Sequence, residues 1–280
     1  MRLSLFAPLP RVARLLAVGL LLGPVAAVAH AQPLPDPDFE RLPLYGSYDQ
    51  FRVALDAAAG SADPADLDAF WDALRAAGQV PYAQDGRVAF LYRGNAGSVA
   101  FAGDHNGWNP NAGSARAARA GASDGWINER AFPDDARIDY KVVANGNWVL
   151  DPANPLQVWS GFGPNSELRM PEYEFPRETV PRPGQPNGSL SPNVLINSDR
   201  LGYGVHYRVY TPAGYADDAL DGLPVVYVTD GHEYAANHLG ATVTVLDNLI
   251  ADGRLRPTIA VFVDPRNPFN SGQNRRASEY

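Results

Sequence analysis

Side chains able to act as nucleophile, base or metal ligand form few groupings in this sequence. One is Gly121-Ala122-Ser123-Asp124-Gly125, a Gly-x-Ser-x-Gly run. That spacing suits a serine nucleophile, because the glycines let the backbone turn sharply and expose the hydroxyl for attack on an acyl carbon. The turn does this only between a buried strand and a helix. Here an Ala/Arg-rich stretch precedes it and the strand-like Trp126-Ile127-Asn128-Glu129-Arg130-Ala131-Phe132 follows, so the run reads as a loop. A second grouping is His232-Glu233 with His238. Paired zinc histidines on one helical face stand at i and i+4, whereas these stand six apart with no evident third ligand, so no metal is expected. Cysteine is absent, which removes thiol and cysteine–metal chemistry. No cofactor is expected.

The surrounding elements have to come from patterning. The 280 residues are enough for about two domains. Hydrophobic residues make up 45% and charged residues 19%, which allows buried cores. Gly 26 and Pro 25 point to many turns. A formal charge of −8 with no Lys/Arg cluster argues against a nucleic-acid partner. At the N-terminus, Arg2, Arg11 and Arg14 precede an apolar run from Leu15 to Val28 and the small-x-small site Ala29-His30-Ala31. This reads as a secretory signal over residues 1–31, so the mature protein is expected to be secreted or periplasmic with no membrane attachment after cleavage.

Residues 32–83 read as a Pro-rich tether and two short helices. In the second helix Asp63 can cap, Pro64 fits the first position, and Leu67, Phe70, Trp71 and Leu74 share one face. From Arg87 the period becomes two. Val88–Tyr92, Ser98–Phe101, Trp126–Phe132 and Arg137–Val143 read as strands of an antiparallel sandwich over 84–170. Prolines from Pro171 to Pro192 mark a linker over 171–192. Beyond it, Asn193–Ser198 and Tyr203–Tyr210 read as an antiparallel pair. Pro224–Thr229 and Thr258–Val263 are continuously apolar, as in a parallel sheet, and the stripe Val243, Leu246, Leu249 and Ile250 gives a crossover helix between them. A mostly parallel sheet is therefore expected over 193–280.

Two stretches carry family resemblances. Phe101-Ala102-Gly103-Asp104-His105-Asn106-Gly107-Trp108, followed by Ile138 to Pro152, resembles the early-set, immunoglobulin-like glycogen-binding modules of starch-branching enzymes and the AMP-activated kinase β-subunit. Matched by position, that resemblance implies a sugar site of Trp108, Lys141, Trp148 and Asn165. Indole faces suit the C–H face of a pyranose, and ammonium and amide groups suit its hydroxyls. A purely structural role for the sandwich is the alternative.

The second resemblance covers Asn197 to Tyr280. Asn197-Ser198-Asp199-Arg200-Leu201-Gly202, Tyr207 to Tyr215, Leu223 to Gly231, Pro257 to Asp264 and Arg276-Ala277-Ser278-Glu279-Tyr280 resemble the opening of the enterochelin-esterase-like and feruloyl-esterase-like α/β-hydrolases. The resemblance implies that Asp230, Gly231 and His232 lie on the loop whose backbone N–H groups help to bind the oxyanion. It also implies that the nucleophile, acid and histidine lie after Tyr280, so the chain is expected to be an incomplete, inactive N-terminal portion holding the first part of the hydrolase sheet. The implied activity is serine-type hydrolysis of carbohydrate esters, feruloyl or acetyl groups on xylan, with a polysaccharide or small ester as partner. A siderophore triester is the rival within esterases. Rivals from other classes are a glycoside hydrolase with an appended module and a non-catalytic carbohydrate-binding protein.

Overall fold

Three short segments of local chemistry set up the N-terminal half. The computed structural model describes residues 36–41, 44–215 and 222–280; the signal-like residues 1–31 and part of the tether lie outside them. Helix α1 (Tyr48–Gly60) starts where Ser47 Oγ accepts the N–H of Gln50, and α2 (Pro64–Ala76) starts where Asp63 accepts that of Ala65. Gly78, at φ +64°, turns the chain out of α2. The stripe read from sequence is the buried one: Leu67, Phe70 and Leu74 point inward, with Trp71 at the edge of the same core.

Those helices lie on a sheet that is buried on both faces. Strands β1 (Tyr82–Gln84), β2 (Arg87–Arg93), β4 (Ala118–Arg119) and β5 (Gly125–Ala131) run antiparallel in the order β1-β2-β5-β4. Ala89, Leu91 and Ile127 face α1 and α2, packing with Phe51, Leu55 and Phe70. Val88 and Phe90 face the other way, into a second core. This is why Val88-Ala89-Phe90-Leu91 is apolar without alternation. The second sheet has the order β3-β6-β9-β8, from β3 (Val99–Gly103), β6 (Arg137–Ala144), β8 (Gln157–Ser160) and β9 (Gly163–Arg169), with β7 (Asn147–Val149) also on β6. It turns Phe101, Tyr140, Val142 and Leu168 inward against Val88 and Phe90. Its outer face carries Arg137, Asp139, Lys141 and Val143, alternate residues of β6. Gly103 has to be glycine, since a Cβ there would lie 2.3 Å from the carbonyl oxygen of Asp139.

The C-terminal third forms a mixed sheet. Strands β10 (Ser189–Leu190), β12 (Tyr203–Thr211), β14 (Ile259–Asp264) and β13 (Val225–Val228) lie in the order β10-β12-β14-β13, with β11 (Val194–Ser198) also on β12. The hairpin of β11 and β12 and the adjacency of β13 and β14 match expectation. The expectation of a mostly parallel sheet does not hold: β13 and β14 are the one parallel pair among the described strands, and β12 joins β10, β11 and β14 antiparallel. The reason is chain path. Strand β12 is long and enters from a hairpin, so it meets β14 head to tail, and a single crossover helix, α4 (Thr242–Ala251), supplies a single parallel step.

The Pro-rich segment does not dangle. Asn248 of α4 donates its amide to the carbonyls of Glu178 and Val180 at 2.8 and 2.9 Å, and Arg182 forms a two-pronged pair with Asp252. Asp247 accepts from Gly188 N–H and from the Tyr210 hydroxyl, both at 2.7 Å. Residues 178–188 and strand β12 are thereby clamped along α4. No helix among the described residues is long and apolar enough to cross a membrane.

Candidate functional site

The loop leaving β13 gathers most of the convergent polar chemistry in the C-terminal third. Asp230 is buried and sits at φ +51°, ψ +35°, a left-handed conformation uncommon for a residue with a Cβ. Gly231 follows and opens a one-turn helix, α3 (Gly231–Tyr234). A Cβ on Gly231 would stand 2.4 Å from the carbonyl carbon of Phe262 and 2.6 Å from the amide nitrogen of Val263, so the loop backbone lies directly against β14. The N–H groups of Glu233 and Tyr234 both turn back to the carbonyl of Asp230. Those of Gly231 and His232 meet no acceptor among the described residues.

Charged side chains ring this loop. Arg276 Nε, from the terminal turn α5 (Arg276–Glu279), stands 2.9 Å from Asp230 Oδ2, and the Tyr280 hydroxyl accepts the Asp230 N–H at 3.4 Å. Asp264, at the end of β14, receives Arg266 in a two-pronged contact at 2.7 to 3.1 Å. Burial works to raise the Asp264 carboxyl, but the Arg266 fork and its backbone N–H outweigh it and hold the group below the usual range. His232 Nδ1 lies 3.4 Å from Asp264 Oδ1 without hydrogen-bond geometry, while its Nε2 faces Glu233 at 3.5 Å. The two carboxylates address opposite ring nitrogens and cannot converge on one ion. Among the described residues no group of three such side chains is placed to hold a metal.

The glycine-flanked serine has a different job. Ser123 donates to the carbonyl of Ala120 at 2.6 Å and accepts the N–H of Gly125 at 3.1 Å, closing the turn into β5. No serine hydroxyl among the described residues is bonded to a histidine.

The four residues of the sugar-type motif are spread along the second sheet. Trp148 is 46% exposed on β7 and pairs with Val143, so it shares the outer face with Lys141. Asn165 also lies on that face but is only 5% exposed, and its amide donates to Asp139 at 3.3 Å. Trp108 stands at φ +58° on the loop after β3, with its indole N–H on Asp104 at 3.0 Å. Asp104 in turn accepts the N–H of Asp139 at 2.9 Å, which ties that loop to β6.

Sequence reasoning passed over a cleft of about 480 Å³ between the β8–β9 hairpin and residues 237–241. Trp159, Tyr173, Phe175 and His238 line it beside Arg137, Asp139 and Glu167. Their spacing in sequence spans a hundred residues, and the one available signal was the aromatic content of Val158-Trp159 and Tyr173 to Phe175.

With this geometry in place, residues 198–278 match the family described as Putative esterase. No curated protein matches the chain. Among solved structures the chain is similar to the enterobactin esterase of Shigella flexneri in the presence of enterobactin, at 18% identity, covering 69% of this chain and 55% of that one with a TM-score of 0.49. The ferric enterobactin esterase of Salmonella typhimurium gives 18% identity, 65% and 54% coverage and a TM-score of 0.48. A ferulic acid esterase from Anaeromyces mucronatus in complex with ferulic acid gives 20%, 34% and 35%, and 0.28. The chain spans about half the length of the enterobactin esterases, and these likenesses are too low to bear on function. Residues 198–278 are esterase-like in sequence and lie in a mixed α/β sheet.

Proposed function

We propose that the chain is part of an exported, serine-type carboxylic ester hydrolase acting on carbohydrate esters such as feruloyl or acetyl xylan. The observation that carries this reading is the coincidence of the esterase match with the β13–Asp230–Gly231 turn. There a glycine packed against β14 lets two backbone N–H groups stand free at the end of the edge strand β13. Preorganised donors of that kind each contribute about 2.7–4 kcal/mol to stabilising an acyl-transfer oxyanion. Arg276 on Asp230 and the close packing of Gly231 on β14 hold the loop, so the donors need not reorganise as charge develops. The two-sheet layer then serves as an early-set carbohydrate module that holds the polysaccharide near the ester.

Catalysis also requires a serine, a histidine and an acid in triad geometry, and none is so arranged among the described residues. We expect the 280 residues alone to turn over neither methyl ferulate nor p-nitrophenyl acetate, and a longer polypeptide that includes a triad to hydrolyse both. Turnover by the purified chain that Ser123→Ala abolishes overturns the reading of the site. Hydrolysis of a siderophore trilactone, but of no xylan ester, by the longer polypeptide overturns the substrate class.

A further inference from the structure

The outer face of the second sheet runs from Trp148 and Lys141, past Asn165 and Asp139, to the cleft walled by Trp159. We propose that this cleft, rather than the Trp148 end, is where the protein takes a neutral, hydroxyl-rich ring: a pyranose unit of a polysaccharide. For its biological sense the proposal rests on the carbohydrate-ester reading; its physical basis does not.

The class of ligand follows from the walls and the charge. Trp159, Tyr173 and Phe175 offer flat apolar surface, which suits the C–H face of a sugar ring. A volume of about 480 Å³ lies within the range of small-molecule sites. Beneath the walls, Arg137 Nε meets Glu167 at 2.6 Å, Arg137 Nη2 meets Asp139 at 2.8 Å, and Arg169 Nη2 meets Glu167 at 3.0 Å. Asp139 and Glu167 thus each already have a guanidinium partner. A ligand ion of either sign would compete with an existing pair, whereas a hydroxyl both donates and accepts and leaves the pairs untouched.

Of the donors lining the cleft, one has no acceptor. The indole N–H of Trp159 is buried and unpartnered, and the His238 ring stands edge-on to that indole at 5.9 Å. A ligand hydroxyl that reached this donor would remove the cost of leaving it unpaired. Position connects the cleft to the loop after β13. Residues 237–241 continue directly from α3, and Gly161 of the β8–β9 turn packs so closely on Glu233 that a Cβ there would lie 2.7 Å from its carboxylate. A sugar held here lies alongside the Asp230–Glu233 loop.

Titration of the ¹⁵N-labelled chain with xylohexaose, and separately with maltohexaose, tests this through the indole N–H signals of the five tryptophans, with Trp159 assigned from Trp159→Phe. We expect a saturable shift of the Trp159 signal by at least one of the two. Trp159→Phe, which keeps an aromatic face but removes the donor and part of the stacking surface, should weaken binding by at least roughly three- to tenfold, the factor for one hydrogen bond of ordinary strength. A shift confined to Trp108 and Trp148, no saturable shift at any indole, or unchanged affinity in Trp159→Phe overturns the proposal. So does a stronger Trp159 response to benzoate or inorganic phosphate than to either sugar. None of these readouts involves ester cleavage, so failure here leaves the esterase reading standing, and failure of the hydrolysis assay leaves this site standing.

Discussion

Arg276 Nε lies 2.9 Å from Oδ2 of Asp230, joining the terminal turn of the chain to the loop after β13. Asp230 is buried and holds a left-handed backbone, so its carboxylate has to be compensated locally. Arg276 is itself more than half exposed, which screens the pair and limits its worth. Arg276→Met should lower stability in urea unfolding by about 1 kcal/mol. It should also broaden the amide signals of residues 230–233. An unchanged spectrum there means that something other than this pair sets the loop.

Gly231 tests the close approach of the loop to β14. Its φ is unexceptional, so the demand is for space rather than for a left-handed conformation. Alanine there meets backbone atoms of Phe262 and Val263, which cannot move without parting β13 from β14. Gly231→Ala should cost about 1–3 kcal/mol, the range for overpacking a core. Alanine at Gly146, where nothing lies within 4 Å, should cost only what its left-handed turn imposes. Equal losses at the two sites would contradict the steric argument.

Much of the fold was legible in local patterns, and what failed was decided at long range. The α2 stripe, the Asn145-Gly146 turn at φ +51° and +82°, and the β11–β12 and β13–β14 pairs follow from caps, glycine chemistry and apolar runs. The β8–β9 hairpin did not announce itself, because Asn165, Ser166, Glu167 and Arg169 are buried polar residues satisfied by partners far away in sequence. Polar alternation cannot reveal such a strand. The docking of residues 171–192 on α4 was hidden for the same reason, since proline content signals an extended backbone but not what it lies against. At the candidate site, Asp230-Gly231 was visible as a turn. The convergence of Arg276 and Asp264 with Arg266 around it depends on the crossover through α4.

His105 predicts a pH dependence. Its ring stacks on Phe90 with centroids 5.3 Å apart and meets Phe132 edge-on at 5.8 Å. Burial, with a smaller contribution from the Arg130 charge, pushes its pKa below the ordinary value of 6.5, and Asp104 only partly opposes this. In the unfolded chain His105 binds a proton near pH 6.5, while the folded chain resists it until lower pH. Stability should therefore hold above about 6.5 and decline as pH falls through that value toward the lowered folded pKa. His105→Gln should flatten this limb in denaturant midpoints measured from pH 7.5 to 5. A wild-type midpoint that rises on acidification over that window would contradict the assignment.

The edge strand β13 predicts association. It closes the order β10-β12-β14-β13, so one side of its backbone pairs with β14 and the other pairs with no described strand. Val225, Val226 and Tyr227 are 49%, 40% and 73% exposed, and Val194, Leu195 and Ile196 of β11 are also open. A row of unpaired N–H and C=O groups beside exposed apolar side chains is a template for another strand. The 280-residue chain should self-associate with rising concentration in sedimentation velocity. A lysine in a flat edge costs any incoming strand the desolvation of its ammonium group. Val226→Lys with Tyr227→Lys should shift the distribution toward monomer without changing the thermal midpoint of the two-sheet layer, whose core lies on other strands. A wild-type chain that stays monomeric at high concentration would show that this edge is covered, and an equal loss of association in Phe162→Lys, at the β8–β9 tip where Phe162 is almost wholly exposed, would place the contact elsewhere.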